Sequence, residues 1–277
     1  MAEQVKLKTY NLAIVDKSAS MASKKEVTIS GINEHLESIR ASEADFLNQE
    51  QIVCLVKFGT TMEHEELWNK GMAGLKNLDD ESYQPKDGST RLLDAIGISV
   101  NKLRNEIKTE LEERKATVIL TIFTDGGEND SKEYDRSQIK DLITEIKGTG
   151  QWTVAFVGCS DNVFEVAESM GISRGDTLHY ANTSEGTQSA FSTMAQKRYA
   201  RSAMYSANIN KGLDMAEVNL NANFFENMDV SATRQEDEDV VENIVDAVED
   251  VNEVYRASDS NDSSYDSDDS DNFDSDD

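Results

Sequence analysis

Two carboxylates and three hydroxyls, four of them after hydrophobic runs and one at the head of a helical pattern, have types and spacing in this 277-residue chain that suit the binding of a hard cation. Asp16-Lys17-Ser18-Ala19-Ser20 comes directly after the apolar run Asn11 to Val15, so one carboxylate and two hydroxyls at alternate positions project into the loop beyond a strand. Asp87-Gly88-Ser89-Thr90 opens a helical pattern that begins near Arg91, and Thr124-Asp125-Gly126-Gly127 closes the most hydrophobic run in the chain. Each motif alone is ordinary turn or helix-cap chemistry. Together, Asp16, Ser18, Ser20, Thr90 and Asp125 offer oxygen donors from three loops. A parallel sheet carries such loops to the carboxyl ends of its strands, where ligands bind. The donor set suits Mg²⁺, which takes few carboxylates and keeps waters, with Mn²⁺ or Ca²⁺ as alternatives. Gly126 and Gly127 permit the tight turn that brings backbone close to such a site.

The elements that must position these residues are read from periodicity. From about residue 6 to about residue 205, apolar runs alternate with helical patterns. That alternation predicts an α/β fold, a doubly wound and mostly parallel sheet with helices on both faces. The strands are expected at Tyr10 to Val15, Gln51 to Phe58, Thr117 to Thr124 and Trp152 to Val157, with a weaker edge strand near Thr177 to Tyr180. Helical spacing recurs in Ile29, Ile32, Leu36 and Ile39, in Leu92, Leu93, Ile96, Val100, Leu103 and Ile107, and in Ile139, Leu142, Ile143 and Ile146. A last helix is expected from about Thr187 to Ser206, with Phe191, Met194 and Tyr199 facing inward.

The three motifs resemble the metal-ion-dependent adhesion site of the von Willebrand factor A (vWA) domain family, a DxSxS loop followed by a separate Thr and then a separate Asp. The matches are DKSAS at 16–20, GSTRLLDAI with Thr90 and FTDGGEND with Asp125, and the resemblance covers roughly residues 8–205. It implies a Rossmann-like vWA domain over residues 1–206. It also implies Ser18, Ser20 and Thr90 as direct ligands, with Asp16 and Asp125 anchoring waters and balancing charge. A carboxylate from a protein partner is then expected to complete the coordination. Ala19 stands where the family usually has Gly, a small restriction on the loop. Intracellular members of that family often work beside AAA+ ATPases, so the resemblance adds such an ATPase to the expected partners.

Competing chemistries fit the residues less well. A phosphohydrolase of the haloacid dehalogenase type also sets an Asp after a first apolar strand beside Mg²⁺, but it needs a second carboxylate two residues on, and that position is Ser18. Gly71 to Lys76, GMAGLK, is too short for a phosphate-cradling loop and lacks its Gly-Lys-Ser order. His35, His64 and His179 have no Cys or His at metal-ligand spacing. No enzymatic activity is therefore expected. Asp94 reads as a first-turn helix charge, Glu128 and Asp130 as solvated loop charges, and Cys54 and Cys159 as buried thiols.

The net charge is −27, and residues 235–277 hold 18 Asp and Glu against the single Arg256, so −17 of it is local. A chain this acidic repels phosphates, and no nucleic acid ligand is expected. Residues 207–234 show no period and stay unassigned. Residues 235–256 carry an apolar stripe through Val241, Ile244, Val245, Val248, Val251, Val254 and Tyr255, the pattern of an acidic amphipathic helix. Residues 257–277, Ser and Asp almost throughout, are expected to be a disordered tail. An alternative function is a polyanionic tail that binds basic partners. With no signal-peptide core or membrane span in the sequence, a cytoplasmic location and no membrane contact are expected. The reading overall is a Mg²⁺-dependent protein-binding module for scaffolding or assembly.

Overall fold

Strand β1 (Leu7–Asp16) lies at the centre of the sheet, and its alternate side chains feed two separate cores. Tyr10, Leu12 and Ile14 enter one core, Ala13 and Val15 the other. In this computed structural model the described residues are 6–63, 67–86, 88–125, 127–214 and 223–225. The expected acidic helix at 235–256 and the tail at 257–277 lie outside them, as do His64, Asp87 and Gly126. After β1 a 3₁₀ turn, Ala19–Lys24, leads into α1 (Lys25–Asp45) and β2 (Gln49–Phe58). There follow β3 (Met62–Glu63), β4 (Lys70–Gly71), α2 (Leu92–Glu106), α3 (Lys108–Glu112) and β5 (Ala116–Thr124). The chain continues through α4 (Arg136–Gly148), β6 (Trp152–Gly158), α5 (Val163–Ser169), β7 (Thr177–His179) and α6 (Ser184–Asn210).

The strand order is β3-β2-β1-β5-β6-β7, with β4 also paired to β2. The strands from β2 through β1, β5, β6 and β7 are parallel, while β3 and β4 run antiparallel to β2. The fold is thus α/β and doubly wound, with a mostly parallel sheet. The chain leaves β1 towards β2 on one side and later returns to place β5 on the other. Neighbouring loops therefore diverge at the carboxyl ends of β1 and β5, the switch point at which such sheets leave a crevice. Asp16 ends β1 and Asp125 follows β5, so both stand at that crevice.

Helices α2, α4 and α5 cover one face through Leu92, Ile96, Val100, Ile139, Ile143 and Val163. The other face carries α1 and α6 through Ile32, Leu36, Ile39, Phe191 and Met194. These two helices approach closely because Gly31 has no side chain. A Cβ there would lie 2.2 Å from the Phe191 ring, which is itself stacked on Phe123 at 4.4 Å between centroids.

Between α1 and α6 lies a buried polar layer. Arg198 is fully buried and donates to the hydroxyls of Ser38, Ser42 and Ser202, and burial pulls its guanidinium down to about 9. His35 is buried alongside, and burial first, then the Arg198 charge, hold its imidazole down to about 3.

Three features depart from the periodicity reading. Helix α6 runs past both ends of the expected Thr187–Ser206, and starts where Thr183 Oγ1 accepts the Gly186 N–H at 3.0 Å. Phe191 and Met194 are buried as expected, whereas Tyr199 is half-buried, packs on Phe46 at 5.2 Å and donates to Asp45 Oδ2 at 2.8 Å. Part of the unassigned stretch returns to the domain. Phe224 and Phe225 are buried, with their N–H groups donating to Asp176 Oδ1 and the Gly175 carbonyl, each at 2.8 Å. Among the described residues no helix is long and apolar enough to cross a membrane.

Candidate metal centre

The last residue of β1 organises the crevice. Asp16 is fully buried, and its two carboxylate oxygens are separately engaged. Oδ1 accepts the Ser18 N–H at 2.8 Å, a local turn that follows from an Asp two residues ahead, and Oδ2 accepts the Thr124 hydroxyl at 2.8 Å from the end of β5. The Tyr83 hydroxyl donates to the Asp16 carbonyl at 2.6 Å, and the Lys17 N–H reaches the Phe58 carbonyl at 2.7 Å. The loop after β1 is thus tied to β5 on one side and β2 on the other.

Beyond Asp16 the oxygen donors form a chain. Ser18 Oγ lies 2.9 Å from Ser20 Oγ, and the Ser20 hydroxyl donates to Asp125 Oδ1 at 2.7 Å. Asp16, Ser18, Ser20 and Asp125 are therefore brought together by direct hydrogen bonds. Thr90 stands in the neighbouring loop. Its N–H donates to Asn129 Oδ1 at 2.8 Å and its carbonyl accepts the Asn129 N–H at 3.1 Å, which ties it to the loop after β5. Among the described residues the Thr90 hydroxyl makes no hydrogen bond to the other four.

Two acids near Thr90 have duties beyond those expected. Asp94 is buried, and its carboxylate accepts N–H groups from Lys132, Glu133 and Tyr134 at 2.8–2.9 Å. It keeps its expected place in the first turn of α2 and also anchors the loop after β5. Glu128 is no freely solvated charge. Its Oε1 accepts the Asp130 and Ser131 N–H groups, and its Oε2 accepts the Leu93 N–H at 3.0 Å, capping α2 from outside. Asp130 pairs with Arg91 at 3.0 Å.

The periodicity reading missed Lys24. Its ammonium lies 2.7 Å from Asp125 Oδ2, and the two side chains are 7% and 3% exposed. Next to it, Cys159 Sγ lies 3.9 Å from Lys24 Nζ and donates to the Asp125 carbonyl at 3.5 Å. Lys24-Lys25 reads in sequence as a pair of surface cations, yet only Lys25 faces outward, towards Asp80. The one hint was positional: Lys24 heads α1, where a helix disfavours a cation, so it needs an anion. Burial raises the Asp16 carboxyl above its usual range, against the opposing bonds from Ser18 and Thr124. Burial likewise pushes the Cys159 thiol and the adjacent Tyr180 hydroxyl up.

The donors meet the needs of a hard divalent cation in kind. No group of three or more His, Cys, Asp or Glu suited to a metal occurs among the described residues, so a cation at the crevice would rest on hydroxyls as much as on carboxylates. Adjacent Ser18 and Ser20 hydroxyls beside the Asp125 carboxylate form an all-oxygen set of the kind that Mg²⁺, Mn²⁺ and Ca²⁺ prefer.

No protein-family model and no curated protein matches the sequence. Solved structures do. The chain is similar to proximal thread matrix protein 1 (PTMP1) from the mussel byssus, with a TM-score of 0.49 and 14% identity over 70% of this chain and 49% of that one. It is similar to the same mussel protein with a zinc-occupied MIDAS motif, with a TM-score of 0.47 and 14% identity over 70% of this chain and 49% of that one. A mutant of the PilB minor pilin from Streptococcus sanguinis gives a TM-score of 0.42 and 15% identity over 72% of this chain and 63% of that one. The chain spans about half the length of the mussel protein.

Proposed function

We propose that this chain is a non-enzymatic, cation-dependent protein-binding module of the vWA type, which uses Mg²⁺ at the crevice between β1 and β5 to capture a carboxylate of a partner protein. The observation that carries this reading is the continuous chain of hydrogen bonds through Asp16, Ser18, Ser20 and Asp125 at the sheet's switch point. Ser18, Ser20 and Thr90 would hold the ion, with Asp125 beside them. Asp16, with both oxygens engaged, would fix the loop and balance charge from behind. When bound, the cation supplies a Lewis-acidic position for an incoming carboxylate. The chain's own residues orient that position and keep it at the mouth of the crevice, where Ser20 is exposed. A scaffold or assembly role in the cytoplasm, with a AAA+ ATPase among the partner types, extends the same reading.

Calorimetry tests it. The wild type should bind Mg²⁺ or Mn²⁺ at one site, and Ser18→Ala with Ser20→Ala, which removes two donors without uncovering a charge, should abolish binding, as should Asp16→Ala with Asp125→Ala. Unchanged binding in both double variants, with folding verified by circular dichroism, would reject the site. Affinity capture with and without EDTA then asks whether partner binding depends on the cation.

A further inference from the structure

We propose that Lys24 is a built-in counter-ion which competes with the divalent cation for Asp125, and so couples cation binding to the capture of a carboxylate. This deepens the function proposed above and rests on it. Asp125 serves two neighbours at once: Oδ1 accepts the Ser20 hydroxyl at 2.7 Å and Oδ2 holds the Lys24 ammonium at 2.7 Å. A cation seated on the hydroxyls of Ser18 and Ser20 therefore shares its carboxylate with a buried ammonium. The alternatives open to Lys24 are poor. Its other neighbour is the Cys159 thiol at 3.9 Å, and its place at the head of α1 is one where helix N–H groups repel a cation.

The charge count gives the coupling its direction. Asp16, Asp125 and Lys24 together carry −1. A divalent cation takes this to +1, and one carboxylate from a partner brings it to zero. The other charged groups nearby, Lys17 and Lys57 which share Glu63, and Arg91 paired with Asp130, are the same whether Lys24 is present or replaced, so they leave the difference that Lys24 makes unchanged. Without Lys24 the charge would be one unit lower at every step, so the cation would be held more strongly and an arriving carboxylate less. Charge imbalance is expensive in a site shielded from water. Lys24 thus weakens the binding of the cation alone and strengthens the binding of cation and carboxylate together, which is positive coupling between two ligands.

The test uses the full chain, stripped with EDTA and dialysed, as wild type, Lys24→Met and Lys24→Gln. Mn²⁺ is titrated by calorimetry in chloride buffer and in acetate buffer, with acetate as the carboxylate probe and a correction for its binding to Mn²⁺ in solution. In chloride, Lys24→Met should bind Mn²⁺ at least about tenfold more tightly than wild type. Acetate should tighten Mn²⁺ binding in the wild type and do so much less in the variant. Lys24→Gln, which keeps a hydrogen-bond donor, should follow Lys24→Met and serves as the test if the latter fails to fold. Equal affinities in wild type and variants, or an equal gain from acetate, would overturn the role of Lys24 while leaving the metal site standing. Tightened binding that survives addition of Ser18→Ala and Ser20→Ala would place the cation elsewhere and overturn it too. Absence of Mn²⁺ binding in every form would reject the site and the coupling together.

Discussion

Replacing Asp125 by Asn in the EDTA-treated protein should cost far more stability than replacing a surface acid, because it leaves the Lys24 ammonium buried without a counter-charge. The pair is 2.7 Å apart with side chains 7% and 3% exposed. Removing one partner of such a pair costs about 3–5 kcal/mol. Asn keeps an oxygen to accept from Ser20 or Lys24, so the lower end, about 3 kcal/mol, is expected. The internal control is Lys108 and Glu112, 3.6 Å apart but 71% and 65% exposed, where Glu112→Gln should cost under about 0.5 kcal/mol. For a domain of this size roughly 2–4 °C of melting temperature corresponds to each kcal/mol. Asp125→Asn should therefore lower the melting temperature by about 6–12 °C, and Glu112→Gln by less than about 2 °C. Adding Lys24→Met should restore part of the loss, giving a coupling energy of about 2 kcal/mol in a double-mutant cycle measured by urea denaturation. If Asp125→Asn costs no more than Glu112→Gln, the pair is solvated, and the charge count behind the proposed coupling fails with it.

Acid should weaken the fold through His35. Its folded imidazole is held near 3 against an ordinary 6.5, so the unfolded chain binds a proton that the folded chain refuses. The resulting stability is complete above pH about 6.5 and is lost as pH falls towards 3, roughly 3 kcal/mol of it by pH 4.5. Urea midpoints from pH 7 to 4.5 should fall less steeply in His35→Gln, and parallel curves would refute the assignment. Gly31→Ala should cost about 1–3 kcal/mol, since its Cβ would meet the Phe191 ring at 2.2 Å and that ring is pinned on Phe123. Gly148→Ala, with nothing within 4 Å of its Cβ, is the control, and equal urea midpoints for the two variants would refute the packing argument.

Much of the scaffold was legible because its signals are local. Strands buried on both faces must be apolar throughout, so the runs in β1, β2, β5 and β6 announce themselves, and the stripes of α1, α2 and α4 do so by spacing. Strands β3 and β4 have two residues each, too few for any period. Phe224 and Phe225 return to the domain from a stretch without pattern, through backbone bonds that no side-chain periodicity records. Four of the five candidate ligands stand out because oxygen donors directly after buried strands are conspicuous, and Thr90 stands out by its place ahead of α2. Glu128 escapes a reading of this kind, because an acid in a loop looks solvated until the backbone N–H groups it satisfies can be counted, and the same bonds add a loop-anchoring duty to the first-turn place of Asp94.

Lys24 follows a different logic, and it alters how the candidate ligands divide their tasks. Asp16 already gives one lone pair of each oxygen to a bond, Oδ1 to the Ser18 N–H and Oδ2 to the Thr124 hydroxyl, so its carboxylate is held in place and only half of its acceptor capacity remains for a cation or its waters. Asp125 is the remaining carboxylate of the five, and the ammonium on its Oδ2 is the contact that a cation must share or displace. On the proposed reading, the strength of cation binding at this crevice would depend less on the number of carboxylates in the motif than on one lysine outside it. A chain with the same DxSxS, Thr and Asp residues but a neutral side chain at this point of the 3₁₀ turn would bind a cation more tightly and depend on a partner's carboxylate less.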